Sequence, residues 1–539
     1  MKHYLKKLED TVRHHWKQKA LCDYEGDAFT YADLATNIEQ FRLFLNNAGI
    51  KKGKKIAICA RNSARWAMTF WSINVNGCVV VPLLADFSPS GISTLTHHSE
   101  SVLLFVDEDI WTNLNPEGMP TLKAAINIKD GSLLWQQDKT VADAWKNRKK
   151  TFELCFPAGL SPEQVSFPTD NSEDLAIINY TSGTTGNPKG VMLDYGALSD
   201  TDDFSNSHFP NRPGETVVSM LPLAHMYGLM IEFIHPNIDG VTIYFLGKTP
   251  SPTTLLKAMR DVKPYMVVTV PLVMEKIYAS SIKPALEQRK KLLAIPLLKR
   301  LIYRAVRKRL IAAFGGQVRC FIMGGAALKP EVEQCFCKMR LPFTVGYGMT
   351  EACPLLGFEW WTKFAPGSCG KPVHELRIDS EDPKNIPGEI QARGRNITLG
   401  YFKNPEANAA AFTEDGWFRT GDLGIMDEKH NIFIRGRIKS MILSSNGQNI
   451  YPEEVEAVLS SCPYVNESVV VERDEKIVAL VYPDIPSDID AETREKLPDI
   501  IRIAANKALP VYSKINKVEL RDVPFEKTPK MSIKRYLYQ

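Results

Sequence analysis

The run Tyr180-Thr181-Ser182-Gly183-Thr184-Thr185-Gly186-Asn187-Pro188-Lys189-Gly190 combines hydroxyls, glycines and one lysine at a density that suits a polyanion. It follows the apolar run Leu175-Ala176-Ile177-Ile178-Asn179, so the segment reads as a strand feeding a loop. Glycines let the backbone approach a ligand closely, and the N–H groups of such a turn form an anion-binding concavity. Lys189 adds a mobile cation. This is not a Walker A loop, because the lysine stands three residues after Gly186 and no Ser or Thr follows it. A solvated surface turn is the plain alternative; the density of donors and the terminal lysine favour phosphate handling.

Further segments follow in order along the chain: Leu221-Pro222-Leu223-Ala224-His225-Met226-Tyr227, Gly324-Gly325-Ala326-Ala327 and Gly346-Tyr347-Gly348-Met349-Thr350-Glu351. Gly416-Trp417-Phe418-Arg419-Thr420-Gly421-Asp422 and Gly436-Arg437-Ile438-Lys439 complete the series. Together with the hydroxyl-rich run, the chain resembles the adenylate-forming superfamily of acyl-CoA synthetases, peptide-synthetase adenylation domains and luciferases over nearly its whole length. Within that superfamily it looks most like the long-chain fatty acyl-CoA synthetases, through Leu221–His225, Gly346–Glu351 and Asn449-Ile450-Tyr451-Pro452-Glu453-Glu454.

The resemblance implies ATP, Mg²⁺ and CoA as cofactor and co-substrates, with a fatty acid as the acid. It places Thr181, Ser182, Gly183, Thr184, Thr185, Gly186 and Lys189 around the β- and γ-phosphates. Glu351 is expected to hold Mg²⁺, and Thr350 to stand beside the α-phosphate. Tyr347 is expected to stack on adenine, with Gly324, Gly325, Ala326, Gly348 and Met349 lining the nucleotide pocket. Asp422 would accept from the ribose hydroxyls and Arg437 would assist it. His225 is expected as a wall near the acyl carboxylate, not as a general base, because a carboxylate nucleophile has no proton to lose. Lys439 takes the hinge position, and Gly447, within Ser444–Glu456, would give a pantetheine thiol room. The pantetheine arm is shared by CoA and carrier proteins, so the acceptor stays open between the two.

One position departs from the pattern. The superfamily's C-terminal lysine falls on Ser532 when Glu526-Lys527-Thr528-Pro529-Lys530-Met531-Ser532-Ile533-Lys534-Arg535 is aligned on Ile533 and Arg535. Either Lys530 supplies the missing cation, or adenylation is slow without it, or the register differs or the cation comes from elsewhere in the chain. An adenylation-impaired homologue that only binds nucleotide is the reading from another class.

The elements that must position these residues are also legible. Lys55–Ala60, Cys78–Leu83, Val102–Val106, Met266–Val270 and Val318–Met323 read as buried strands, and Ser63–Asn76 as a helix. The alternation predicts an α/β fold with largely parallel sheets; the resemblance implies stacked sheets in a large N-terminal domain over residues 1–437. A hinge at 438–439 and a small mobile α+β domain over 440–539 follow, with helices at Pro452–Leu459 and Asp490–Lys507 and strands at Glu467–Val471 and Ile477–Tyr482.

A length of 539 residues exceeds one compact core, and a net charge of +4 offers no global field for nucleic acid. Ten cysteines lack zinc spacing or a disulfide framework, and neither His14-His15 nor His97-His98 belongs to a ligand set. There is no signal peptide, no spanning apolar run and no peroxisomal tripeptide, so a cytoplasmic protein is expected. Residues 281–313 form a basic, leucine-rich helical stretch. It reads either as a solvated helix burying its apolar face, or as a surface for peripheral membrane contact or an acidic acyl carrier protein.

Overall fold

The computed structural model describes residues 2–170, 172–181, 188–247, 252–443, 449–473, 476–486, 489–510, 513–527 and 533–538. Ser182, Gly183, Thr184, Thr185, Gly186, Gly447, Lys530 and Ser532 lie outside the described residues.

The apolar runs become strands because each is buried on both faces. Val79–Leu83 is buried at every position, as is usual for a parallel strand covered by helices. Two seven-stranded sheets result. The first runs, in spatial order, through Leu133–Gln136, Ala124–Asn127, Leu103–Val106, Lys55–Cys59, Val79–Leu83, Leu175–Thr181 and Lys189–Asp194. Its inner strands are parallel and its outermost pairs antiparallel. The second orders Phe343–Val345, Cys320–Met323, Met266–Thr269, Thr216–Ser219, Thr242–Phe245, Lys19–Asp23 and Ala28–Thr30, parallel except for the last.

The two sheets share one core. Ile56, Ile58 and Val80 of the first sheet and Val217, Ile243 and Val268 of the second belong to the same buried cluster. The intervening residues Ala57, Val79 and Val81 face a second cluster, and Val218, Val267 and Phe321 a third. This is the period-two alternation of strands covered on both sides. Between the sheets runs the helix Ala64–Val75, in which only Arg65 escapes burial. Ser63 caps it by accepting from the Trp66 N–H at 3.1 Å. A helix apolar on all sides belongs in the middle of a large core.

Smaller antiparallel sheets extend the chain: Tyr347–Gly348 with Leu355–Phe358 and Lys371–Pro372, then Glu375–Asp379, Gly388–Arg393, Phe418–Met426 and Ile432–Arg437. The C-terminal part has a three-stranded sheet of Val465–Arg473, Lys476–Pro483 and Lys517–Leu520, with its own buried cluster. The helix Pro452–Leu459 packs on that sheet as expected. The single helix expected over Asp490–Lys507 is two, Ala491–Glu495 and Leu497–Asn506. Pro498 explains the break: it has no N–H to give the Arg494 carbonyl and its ring crowds that oxygen, whereas in the first turn of Leu497–Asn506 it is tolerated. The α/β architecture, a large unit of stacked sheets followed by a small C-terminal unit, is the one expected.

Candidate active site

In open parallel sheets, ligands bind outside the carboxyl ends of the strands. Three of the sequence segments sit there on the second sheet: Leu221–Tyr227 follows Thr216–Ser219, Gly324–Ala327 follows Cys320–Met323, and Gly346–Glu351 follows Phe343–Val345. The hydroxyl-rich run leaves the first sheet at Thr181, which pairs with Lys189 on the returning strand.

Two side-chain clusters stand at either end of Tyr347–Glu351. At one end the Tyr347 hydroxyl donates to Asp422 Oδ2 at 2.8 Å, and Arg437 Nε lies 3.0 Å from Asp422 Oδ1. Asp422 is buried, which raises its pKa, while Arg437 pulls it back down. Its position is set by the turn before it. Gly421 has φ +71°, and the Asp422 N–H donates to Thr420 Oγ1 at 3.1 Å. Arg437, directly across the strand pair from Asp422, keeps 59% of its side chain in solvent. A carboxylate so held, with a half-free guanidinium beside it, suits a ligand carrying paired hydroxyls.

At the other end the Tyr401 hydroxyl donates to Glu351 Oε1 at 3.0 Å, and the Lys189 ammonium sits 4.7 Å from the centre of the Tyr401 ring. One phenol therefore joins the loop lysine to the buried carboxylate. Tyr401 reaches this place because residues 398–402 run beside Lys189–Asp194. Phe402 N–H donates to the Gly190 carbonyl at 2.8 Å and Leu399 N–H to that of Met192 at 3.0 Å. The Glu351 carbonyl in turn accepts from the Thr398 N–H at 2.8 Å. Thr350 is buried in the same short turn. Gly348 is required where it stands, since a Cβ would overlap the Pro354 carbonyl. Met349 is half-buried, its N–H bonded to that carbonyl at 2.8 Å. One buried carboxylate joined through Tyr401 to Lys189 suits Mg²⁺, which usually takes one or two protein carboxylates and completes its shell with anionic ligand oxygens and water.

The segment with His225 is held from several sides. Glu232, fully buried, accepts from Ser219 Oγ at 3.0 Å and from the N–H groups of Met220 at 3.1 Å and Leu221 at 3.0 Å. Burial pushes its pKa up to about 8 despite these donors. Asn62 bonds the Leu221 carbonyl at 2.7 Å and the Leu223 N–H at 3.0 Å. Asn179, on the strand Leu175–Thr181, donates to the Ala224 carbonyl at 2.9 Å. His225 itself is half-buried. The Tyr227 hydroxyl donates to the Ile322 carbonyl at 3.1 Å, and a Cβ on Gly324 would meet the Tyr227 ring at 3.2 Å. Beyond Gly324 the backbone opens: Gly325 has φ +85° and, with Ala326, is exposed.

The structure thus gathers Lys189 with Glu351, Tyr347 with Asp422 and Arg437, and the His225 segment with the strand Leu175–Thr181. Lys439 lies exposed in the turn Ile438–Ser440, at the end of the strand that carries Arg437. Tyr401, Asn62, Asn179 and Glu232 were not singled out from the sequence. Glu232 had a signal, a lone acid in the apolar run Gly228–Ile234; the other three owe their places to tertiary pairing. The Asp202–His235–Asp239 group, whose ligand atoms lie within 4.8 Å of one another, is tied internally. His235 Nδ1 meets Asp202 at 2.7 Å, its Nε2 meets Asn211 at 2.9 Å, and Lys7 pairs with Asp202 at 2.5 Å.

Comparison with known proteins bears on the fold and the family. The ATP-bound crystal structure of MatB from Rhodopseudomonas palustris superposes with a TM-score of 0.78 at 22% identity, covering 98% of this chain and 97% of that one. Long-chain-fatty-acid–CoA ligase FadD15 of Mycobacterium bovis is 28% identical, covering 94% of this chain and 89% of its own. The chloroplastic long-chain-fatty-acid–[acyl-carrier-protein] ligase AEE15 of Arabidopsis thaliana is also 28% identical, covering 94% and 80%. The AMP-binding enzyme family matches residues 8–402 and its C-terminal domain residues 439–538, and the chain belongs to that adenylate-forming family.

Proposed function

We propose that the protein is an ATP-dependent fatty acid–CoA ligase working through an acyl-adenylate. The observation that carries this reading is the arc Tyr347–Glu351, pinned at one end to Asp422 and at the other to Tyr401 beside Lys189. It offers a ribose acceptor, an α-phosphate position at Thr350 and a cation for the departing phosphates within a few residues.

A carboxylate does not react usefully with a thiol at neutral pH. In the first half-reaction the fatty carboxylate attacks the α-phosphorus of ATP and the P–O bond to pyrophosphate breaks. In the second, a thiol attacks the acyl carbon and AMP leaves with the bonding pair. The first step brings an anion to a polyanion, so positioning and charge neutralisation dominate. Lys189, Thr181 and the loop Ser182–Gly186 cradle the β- and γ-phosphates. Glu351 would hold Mg²⁺, which supplies charge neutralisation at the phosphates when bound. Tyr347 and Met349, with Gly324, Gly325, Ala326 and Gly348, line the adenine side, and Asp422 with Arg437 takes the ribose. His225 walls the acyl end. Residues 1–437 form the nucleotide-binding unit; Lys439 marks a hinge on which residues 440–539 turn between half-reactions, bringing Gly447 to the thiol and Lys530 to the adenylation centre. The fatty acid is inferred from FadD15 and AEE15.

AEE15 also favours a second reading, transfer to a carrier protein. Pyrophosphate release and acyl-thioester formation, followed together with acids of graded length and with aryl acids, test both. Acyl-CoA rising in step with pyrophosphate and a chain-length optimum is expected. Turnover confined to aryl acids overturns the fatty-acid assignment, and thioester formed only on carrier protein overturns CoA as acceptor.

A further inference from the structure

The helix Pro296–Ala313 lies against the second sheet's outer helices, yet Leu310 is its only buried residue. The expectation that such a helix buries its leucines fails at its leading end. Leu292, Ile295, Leu297 and Leu301 are exposed by 47, 49, 72 and 55%. Leu297 and Leu301 stand one turn apart, and Arg304 and Lys308 continue the same stripe. From 288 to 313 the chain has nine Lys and Arg and no Asp or Glu, although the whole chain carries only +4. Among the described residues none of these nine cations is in a salt bridge. Beside the stripe, Lys299, Arg300, Arg304, Arg307, Lys338 and Arg340 line a groove of about 400 Å³ without a single carboxylate.

We infer that this face docks the protein on a bilayer containing anionic lipid, the four aliphatic side chains entering the interface and the basic groove receiving a headgroup phosphate. Solvent-exposed aliphatics cost free energy in water and gain it in an acyl boundary, whereas the flanking cations gain only from an anionic plane. The helix is too polar to cross: no helix of the described residues is long and apolar enough to span a membrane. It lies on the surface instead. The inference rests on the fatty-acid reading only for its purpose, since a membrane is where such a substrate partitions.

The test is co-sedimentation of the full chain with vesicles of phosphatidylcholine alone and of phosphatidylcholine mixed with phosphatidylglycerol, without nucleotide or acid. Binding is expected on the anionic vesicles only, and it should fall steeply toward ~0.5 M salt, where screening shortens to a few ångströms. The variant R300A/R304A/K308A is expected to lose about 100-fold in partitioning, at roughly fivefold per cation. L297E/L301E is expected to lose binding while its thermal unfolding midpoint stays that of the parent. Equal partitioning onto neutral vesicles, or anionic binding indifferent to both variants, overturns the inference. So does acyl carrier protein binding in solution through the same residues with no vesicle binding. Because the readout is binding, it fails or succeeds independently of whether any acid is activated.

Discussion

Replacing Glu232 by glutamine tests the claim that a buried carboxyl anchors the His225 segment. The carboxyl is fully buried, and its pKa stands at about 8 against an ordinary value of 4.5. A folded-state pKa above the unfolded one means that the folded protein holds the proton more tightly. That contribution is full below the unfolded value and is lost as pH rises through the folded value. Between about pH 6 and pH 9 the native state should lose about 3 kcal/mol from this group alone. Glutamine keeps a carbonyl for the Ser219 and Leu221 donors and removes the ionisation. The variant should match the parent only at or below about pH 4.5, already be the more stable of the two near pH 6, and gain further on it as pH rises through the folded value. Urea unfolding followed by tryptophan fluorescence reads this cleanly, because no tryptophan lies beyond Trp417 and the buried Trp66 and Trp71 report the core between the sheets. Alanine is the contrasting change: it strands the donors of Ser219, Met220 and Leu221, at about 1–3 kcal/mol for each buried group, and should also lower activity by loosening Leu221–Tyr227. Parallel midpoint shifts for parent and E232Q across the whole pH range would refute the reasoning.

Tyr401→Phe keeps the ring under Lys189 and removes the donor to Glu351; pyrophosphate exchange should fall by about 10- to 100-fold, the weight of one hydrogen bond to a charged group, with little change in fold. Unchanged exchange would detach Tyr401 from the metal-binding role given to Glu351. Asp422→Asn should raise the KM for ATP by about tenfold or more and narrow the preference for ATP over its 2′-deoxy analogue; an undiminished preference would move the ribose elsewhere. Lys530→Ala should suppress acyl-adenylate formation while leaving thioester formation from supplied acyl-adenylate near the parent rate, and Ser532→Lys in that background should restore it. If Lys530→Ala is silent in both half-reactions, Lys530 is not the replacement cation.

Much of the fold was legible because its strands are buried on both faces. Runs such as Val79–Leu83 then need no alternation to announce themselves, and the segments rich in glycine and hydroxyls mark where each strand ends. What stayed hidden depends on pairing between distant stretches. Tyr401 follows Glu351 by 50 residues and reaches it only because Val191 and Tyr401 form an antiparallel bridge. Asn179 looks like one polar residue in an apolar strand until the Ala224 carbonyl is found above it. The leucines of 292–301 show the opposite limit, since periodicity predicts an apolar face but not what covers it. Here nothing among the described residues does.

The hidden contacts share a purpose that the motif residues alone do not reveal. Lys189 belongs to the first sheet, whereas Tyr347, Thr350 and Glu351 follow the last strand of the second, so in the proposed chemistry the groups that meet one nucleotide are built on different sheets. Such a site is only as precise as the bonds that fix one sheet's loops to the other's. Asn179 to Ala224, Tyr401 to Glu351, and the backbone pairs joining 190–192 to 398–402 are those bonds. They touch no phosphate in the proposed chemistry, yet they decide whether Thr350 stands between Lys189 and Asp422 at the spacing that a single nucleotide requires.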